Sequence, residues 1–291
     1  MSPPFADVEV ELRDALQRGA LELLYQPVVD LHDATIGAVE SLLRWRHERG
    51  LIAAGLFLPE VTDPALYEAI ADFAFEQAAQ QLSLWRRRFD SWLFPVSVNV
   101  AAADFDDRLV TRIVDLRARH GFPPGAIAID IAEPVLLADL ERGRTLVLAL
   151  KGAGAQIVVD DFGTTRGGAA HVTDDVVRSP DDLLHSLAAL EAFPVDVLKV
   201  DRELIGRSFA ETLDVQVVES IVRLAHLFGF RLLAEGVETG DEAEWLRQAG
   251  FDLGQGYYFQ RPHGPGHIDR LLIDLADARR AFATASRAVD R

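Results

Sequence analysis

The chain has no cysteine. Disulfides and thiolate metal sites are therefore excluded, and any bound metal must be held by carboxylates, amides, histidines or water, which favours hard divalent cations. Basic residues are scarce: 29 Lys and Arg stand against 46 Asp and Glu, a formal net charge of −17. That imbalance opposes association with nucleic-acid backbones and anionic membranes, so neither is an expected partner. An anionic substrate would need bound cations or a few well-placed basic side chains. No apolar run is long enough to cross a bilayer, and no membrane insertion is expected. The opening MSPPFADVEVELRD carries acidic residues where a secretory signal needs a basic and then an apolar stretch. This reads as a cytoplasmic protein. Long Pro/Gly/Ser linkers, repeats and low-complexity tracts are absent too, so nothing marks a domain boundary.

What is present is repeated βα organisation. Short β-rich runs at 94–100 (FPVSVNV), 126–132 (AIAIDIA), 156–162 (QIVVDDF), 195–201 (VDVLKVD), 230–236 (FRLLAEG) and 251–259 (FDLGQGYYF) alternate with amphipathic stretches. Helical patterns cover Asp107–His120, Val135–Lys151, Asp214–Phe228 and Asp241–Gln248, with Gly121, Gly152, Gly229 and Gly250 at plausible stop positions. Upstream, Leu21–Leu31 and Ile36–Trp45 add two closely spaced strands that should pair antiparallel. Eight strands with helices between them predict an α/β fold, a modified TIM (β/α)8 barrel with its first strand antiparallel to the rest. An open doubly wound sheet is the alternative. The expected organisation is a single domain over 1–291, with a helical flank at 1–20, the barrel at 21–262 and a C-terminal helix at 263–291, its pattern running over Ile268–Val289. Thr165–Asp182 is polar, Gly-containing and acidic where a compact turn would be shorter, and predicts a functional loop.

Most of these runs end on a polar side chain: Glu40, Asn99, Asp130 with Glu133, Asp160-Asp161, Lys199 with Asp201, Glu235 and Gln255. In a parallel barrel the strands' C-terminal ends converge on one rim, where catalytic groups gather. Taken singly, each has a plainer explanation. An Asp after a strand is often a helix cap, Asn99 can hold a turn, Lys199 can be a surface lysine, and DDFG can be an Asp-Gly turn. One cap explains one carboxylate, not a ring of them. Each ion removed from water loses several kcal/mol of solvation, and divalent metal ions resolve that conflict. An all-oxygen shell suits Mg2+ or Mn2+, with Ca2+ able to bind but less suited to hydrolysis. Such ions polarise a phosphodiester, lower the pKa of a bound water and stabilise the leaving oxygen. Lys199 can position that water or offset charge; Glu235 can orient the lysine or accept a proton.

The ordered strings YQPVVDL (25–31), ESLLRW (40–45), SVNVA (97–101), DIAE (130–133), DDFGT (160–164), LKVD (198–201), AEGVET (234–239) and QGYYFQRP (255–262) resemble the EAL family of bacterial cyclic di-GMP phosphodiesterases, from about Leu21 to Pro262. The resemblance implies a modified TIM barrel that linearises cyclic di-GMP to pGpG with two Mg2+ or Mn2+ ions, Ca2+ being inhibitory. It implies metal ligation by Glu40, Asn99, Asp130, Asp160 and Asp161, and catalytic roles for Glu40, Lys199 and Glu235. Gln26, Leu42, Arg44, Asn99, Asp161 and Gln255 would contact substrate, Arg44 through a phosphate. Glu133 matches the glutamate that braces the mobile loop, and a homodimer is implied as well. Departures accompany these matches. Ser41 replaces the signature alanine and Thr62 a glutamate after FLPEV. Asp130 stands where the family has a glutamate, withdrawing a carboxylate by about a bond length, comparable to misplacements that lower rates about 10²-fold. After DDFGT the family's loop becomes Thr165-Arg166-Gly167-Gly168-Ala169 followed by an acidic insertion.

Retention of Glu40, Asn99, Asp160, Asp161, Lys199, Glu235 and Gln255 supports a metal-dependent phosphodiesterase. The alternative is a receptor or interaction module that binds the cyclic dinucleotide, or a protein, without cleaving it; Asp130 and the 165–182 loop speak for it. A barrel hydrolase for another phosphate ester has little support, because fold alone does not specify function. Regulation is expected through a protein partner, the altered loop or expression level.

Overall fold

The computed structural model describes residues 7–89, 94–164, 179–205 and 212–274. Nine strands are named: β1 Leu21–Asp30, β2 Ile36–His47, β3 Gly50–Ala53, β4 Val96–Val100, β5 Ile127–Ala132, β6 Gln156–Phe162, β7 Val197–Val200, β8 Arg231–Ala234 and β9 Leu253–Gly254. The helices are α1 Val8–Arg18, α2 Pro64–Arg88, α3 Asp107–His120, α4 Glu133–Leu137, α5 Leu140–Gly152, α6 Pro180–Leu190, α7 Thr212–Leu227 and α8 Gly240–Ala249. Residues 265–274 are also helical, and the rest of the expected C-terminal helix lies outside the described residues.

Hydrogen bonding runs β1-β9-β8-β7-β6-β5-β4-β2, and β1 returns to β2, which closes the sheet into an eight-stranded barrel and excludes an open sheet. From β2 through β4 to β9 every successive pair is parallel, while β1 is antiparallel to both neighbours. The expected first-strand reversal is present. Its cause is local: only His32, Asp33 and their neighbours separate β1 from β2, too few residues for a parallel crossover. β3, which the sequence reading did not separate out, folds back on the end of β2 as a hairpin with Arg44 opposite Ala53. Between β3 and β4 runs α2, the longest helix among the described residues, capped by the Asp63 side chain on the Ala65 amide.

Three boundaries differ from expectation. The 251–259 run gives only the two-residue β9, because the chain turns at Gly256 against Val237, whose backbone leaves no room for a Cβ there, and Phe259 N–H bonds back to Gly256 O at 3.2 Å. The 135–151 helix is two, α4 and α5, because Asp139 leaves the helix to cap the Arg142 amide. The polar 165–182 loop ends earlier, since Ser179 and Asp182 form a capping box that starts α6 at Pro180. Residues 165–178 lie outside the described residues.

Period-two alternation divides the strand residues into two layers. One face packs outward against the helices through Val98, Ile129, Ile131, Val159, Leu198 and Leu232. The other face fills the barrel with Val28, Ala38, Ala128, Val158, Val197, Leu233 and Leu253. That plug matters for the site. The next position on the same face, two residues further toward the C-terminal rim, is Glu40 after Ala38, Asp130 after Ala128, Asp160 after Val158, Lys199 after Val197, Glu235 after Leu233 and Gln255 after Leu253. On antiparallel β1 the same step runs backward from Val28 to Gln26.

Candidate active site

Directly above the apolar plug, strands from all round the barrel deliver polar groups to one point. The Lys199 ammonium lies 3.2 Å from Glu40 Oε1, 3.0 Å from Asp130 Oδ2, 3.2 Å from Asp160 Oδ2 and 3.2 Å from Glu235 Oε1. Glu40 is gripped from both sides: Asn99 Nδ2 donates to Oε1 at 2.9 Å and Gln255 Nε2 to Oε2 at 2.7 Å. Glu40, Asp130, Lys199 and Gln255 are buried, Asp160 and Glu235 half-buried, and Asn99 exposed at the rim.

One ammonium cannot neutralise four carboxylates in so little water, and the proton affinities record the strain. Burial raises the Glu40 pKa, but the Lys199 charge and the hydrogen bonds from Asn99, Gln255 and Lys199 outweigh it and hold the group below the ordinary glutamate value. Asp130 is pushed up to about 7, by burial and by the Glu40 and Asp160 charges, with Lys199 offsetting part. Burial and the Asp160 and Glu40 charges drive Glu235 well above its ordinary value. Lys199 is itself desolvated, yet Asp130, Asp160, Glu40 and Glu235 together keep its proton well above the ordinary lysine range.

Oxygen atoms of Glu40, Asp130 and Asp160 all lie within 4.8 Å of one another. Asp130 Oδ1 is buried without a hydrogen-bond partner among the described residues. An orphaned carboxylate oxygen inside an over-acidic, all-oxygen cluster suits a hard divalent cation, which would supply both the missing partner and the missing charge. Asp161 stands outside that group. It is exposed, and its φ of 61° places it in the left-handed region, with its amide bonded to Asp160 Oδ1 at 2.8 Å. The β6–β7 register shifts at this point. Such backbone is strained for a residue with a Cβ, though Asp tolerates it better than most, and strained residues collect at functional sites.

Two cavities meet at the cluster. One, of about 460 Å3, is lined by Arg44, Tyr67, Asn99, Asp104, Asp160 and Asp161 among others. The second, of about 400 Å3, is lined by Gln26, Glu40, Asp201, Glu235, Gln255 and Tyr257 among others. Leu42 borders both. Gln26 is fixed by donating to Gln260 O at 2.9 Å, and Arg44 is half-buried with Nη1 donating to Leu43 O at 2.9 Å. Glu133 is buried at the first turn of α4, on the rim side of β5; the loop it was expected to brace is outside the described residues. Ser97, not among the expected site residues, belongs to the cluster as well: its hydroxyl donates to Asp130 Oδ2 at 3.1 Å. The signal was available: alternation puts Ser97 and Asn99 on one face of β4.

A closed mixed barrel with a carboxylate-and-lysine mouth above an apolar plug defines the class, a TIM-like barrel with a polar rim site. Within it, the EAL domain model matches residues 9–174 and 181–262, and the chain belongs to the EAL domain family. It is similar to an uncharacterized protein of Mycobacterium tuberculosis, 31% identical over 286 residues, covering 98% of this chain and 42% of that protein. It is also similar to the bifunctional diguanylate cyclase/cyclic di-GMP phosphodiesterase MucR of Pseudomonas aeruginosa, 31% identical over 255 residues, covering 87% of this chain and 34% of that one. The chain thus spans between about a third and two-fifths of the length of these curated relatives. Among solved structures, the PaMucR phosphodiesterase in complex with c-di-GMP superposes with a TM-score of 0.78 at 29% identity, covering 90% of this chain and 99% of that one.

Proposed function

We propose that the chain hydrolyses cyclic di-GMP to linear pGpG with the help of divalent metal ions. The observation that carries this is the meeting of the Glu40–Asp130–Asp160 cluster, with its orphaned Asp130 oxygen, and two cavities that share Leu42. A cyclic dinucleotide has a phosphodiester ring with a base on either side, and a reactive centre between two lobes matches that shape. Kinship with a cyclic di-GMP phosphodiesterase supports the substrate.

Glu40, Asp130 and Asp160, joined by Asn99 and Asp161 at the rim, would hold Mg2+ or Mn2+. The metal supplies electrophilic stabilisation of the phosphodiester and makes an attacking water more acidic. The remaining work falls to the chain. Lys199, held charged by its four carboxylates, orients the attacking water and offsets the charge that develops on phosphate. Glu235, which binds a proton more tightly than an ordinary glutamate, orients Lys199 and can take up a proton at its carboxylate. Gln255 and Asn99 fix the Glu40 carboxylate, and Arg44 at the cavity wall pairs with a substrate phosphate. Gln26 and Leu42 position the nucleotide between the lobes.

Purified protein incubated with cyclic di-GMP and Mg2+ or Mn2+ should yield linear dinucleotide by chromatography, and Glu40→Ala should yield none while keeping its circular dichroism spectrum. Normal turnover by Glu40→Ala would overturn the site assignment. The second reading, a receptor that binds without cleaving, is favoured by the short Asp130 side chain; calorimetric binding in Ca2+ with no product in Mg2+ or Mn2+ would select it.

A further inference from the structure

Asp130 is held unlike the other carboxylates of the cluster. Its Oδ2 receives two donors, Lys199 Nζ at 3.0 Å and Ser97 Oγ at 3.1 Å, and its Oδ1 is buried and bare among the described residues. Lys199 divides its three protons among four carboxylates and cannot by itself dictate where any one of them points. The Ser97 hydroxyl has no such divided loyalty. It approaches Asp130 from the neighbouring strand β4, and it is buried, at 6% exposure, where a hydroxyl without a partner would be unfavourable.

Ser97 is in turn held from the other side. Ser41 Oγ, also buried, donates to the backbone carbonyl of Ser97 at 2.6 Å, which adds a side-chain tie to the parallel pairing of β2 with β4. Two buried hydroxyls on successive strands thus connect the strand that carries Glu40 to the carboxylate of Asp130. Ser41 sets the backbone of β4, and Ser97 sets Asp130.

We propose that Ser97 is a positioning residue for the metal centre: by occupying Asp130 Oδ2 it fixes the short side chain in the rotamer that leaves Oδ1 free as a cation ligand, with Ser41 holding Ser97 in place. This rests on the metal-binding reading above. It assigns the hydroxyl the part that outer hydrogen-bond partners play around metal ligands, where their loss typically weakens metal affinity about 10- to 100-fold.

The test is Mn2+ binding to the whole chain without nucleotide, by calorimetry or by the electron paramagnetic resonance signal of free Mn2+. Ser97→Ala should weaken the affinity about 10- to 100-fold. Ser97→Thr, which keeps the hydroxyl, should bind nearly as wild type, and Ser97→Val, of the same shape without it, should bind as poorly as Ser97→Ala. That pair separates hydroxyl from packing even if alanine perturbs the strand. In an Asp130→Ala background Ser97→Ala should change nothing further, because the serine acts through the aspartate. Wild-type affinity in Ser97→Ala and Ser97→Val, or an undiminished loss without Asp130, overturns the proposal while leaving the metal site standing. Absence of Mn2+ binding by the wild-type chain overturns both.

Discussion

Replacing Lys199 by methionine removes an ammonium that lies 3.0–3.2 Å from four carboxylates and keeps most of its aliphatic stem. At an effective dielectric of about 20, a pair at that separation interacts by about 5 kcal/mol, several times the roughly 1 kcal/mol of a lost neutral hydrogen bond. Charge, not packing, should therefore dominate. The full sum is never realised, since the acids take up protons instead, and breaking a buried ion pair typically destabilises by about 3–5 kcal/mol. The sign of the pH dependence follows. Without Lys199 the folded-state pKa of Glu40 rises from its lowered position, and those of Asp130 and Glu235, already raised, lose the charge that offsets them and rise further. An acid raised in the folded state imposes no penalty below its unfolded pKa, and the penalty grows as pH rises toward its folded pKa, by about 1.4 kcal/mol per unit for each proton. Urea denaturation in EDTA should then find Lys199→Met about 3–5 kcal/mol less stable than wild type at pH 8 and at least about 2 kcal/mol closer to it at pH 5. Equal destabilisation at both pH values would refute the electrostatic account and leave the lysine a packing role.

Other consequences are simpler to read. Asp104, half-buried in the wall of the larger cavity, has its pKa pushed up to about 6 by burial, only partly offset by Arg112 and Arg108. Its folded value exceeds the unfolded one, so a penalty on folding builds as pH rises from about 4 and is complete above about 6; Asp104→Asn should stabilise the chain at pH 8 by about 1–2 kcal/mol after allowance for solvent screening, seen as a higher thermal midpoint, with little effect at pH 4. Gly256→Ala forces a Cβ onto the Val237 backbone and should destabilise the chain by about 1–3 kcal/mol in urea, with loss of nucleotide binding because Gly256 and its neighbour Tyr257 both line the second cavity. Gln255→Leu, which removes the 2.7 Å bond to Glu40 Oε2, should lower turnover about 10-fold or more through the metal site, seen as a raised Mn2+ requirement in the hydrolysis assay.

The barrel was legible because its parallel strands are buried on both faces. Runs such as AIAIDIA and QIVVDDF carry apolar residues at consecutive positions, and Asp130 in the first and Asp160 in the second stand where the apolar plug ends. For the same reason the site was legible as a set: the residues that break those runs are the ones that converge on Lys199. Local competition hid the remainder. FDLGQGYYF has strand composition throughout, but the contact between Gly256 and Val237 that ends β9 joins residues far from strand neighbours and leaves no periodicity to read. The left-handed backbone at Asp161, which separates it from Asp160 despite their adjacency, leaves no mark in the composition of the run. The parts played by Ser41 and Ser97 were not legible, because a hydroxyl declares its role only through the partner it finds.

The central claim is that the carboxylate mouth is a divalent-metal centre that opens cyclic di-GMP. Its most direct test is the rate of linear pGpG formation by the wild-type chain, followed by chromatography as Mn2+ is added back to protein stripped with EDTA. No product should form in EDTA, and the rate should rise to saturation with Mn2+. Product at the same rate in EDTA, or bound nucleotide that stays cyclic at saturating Mn2+, would contradict it.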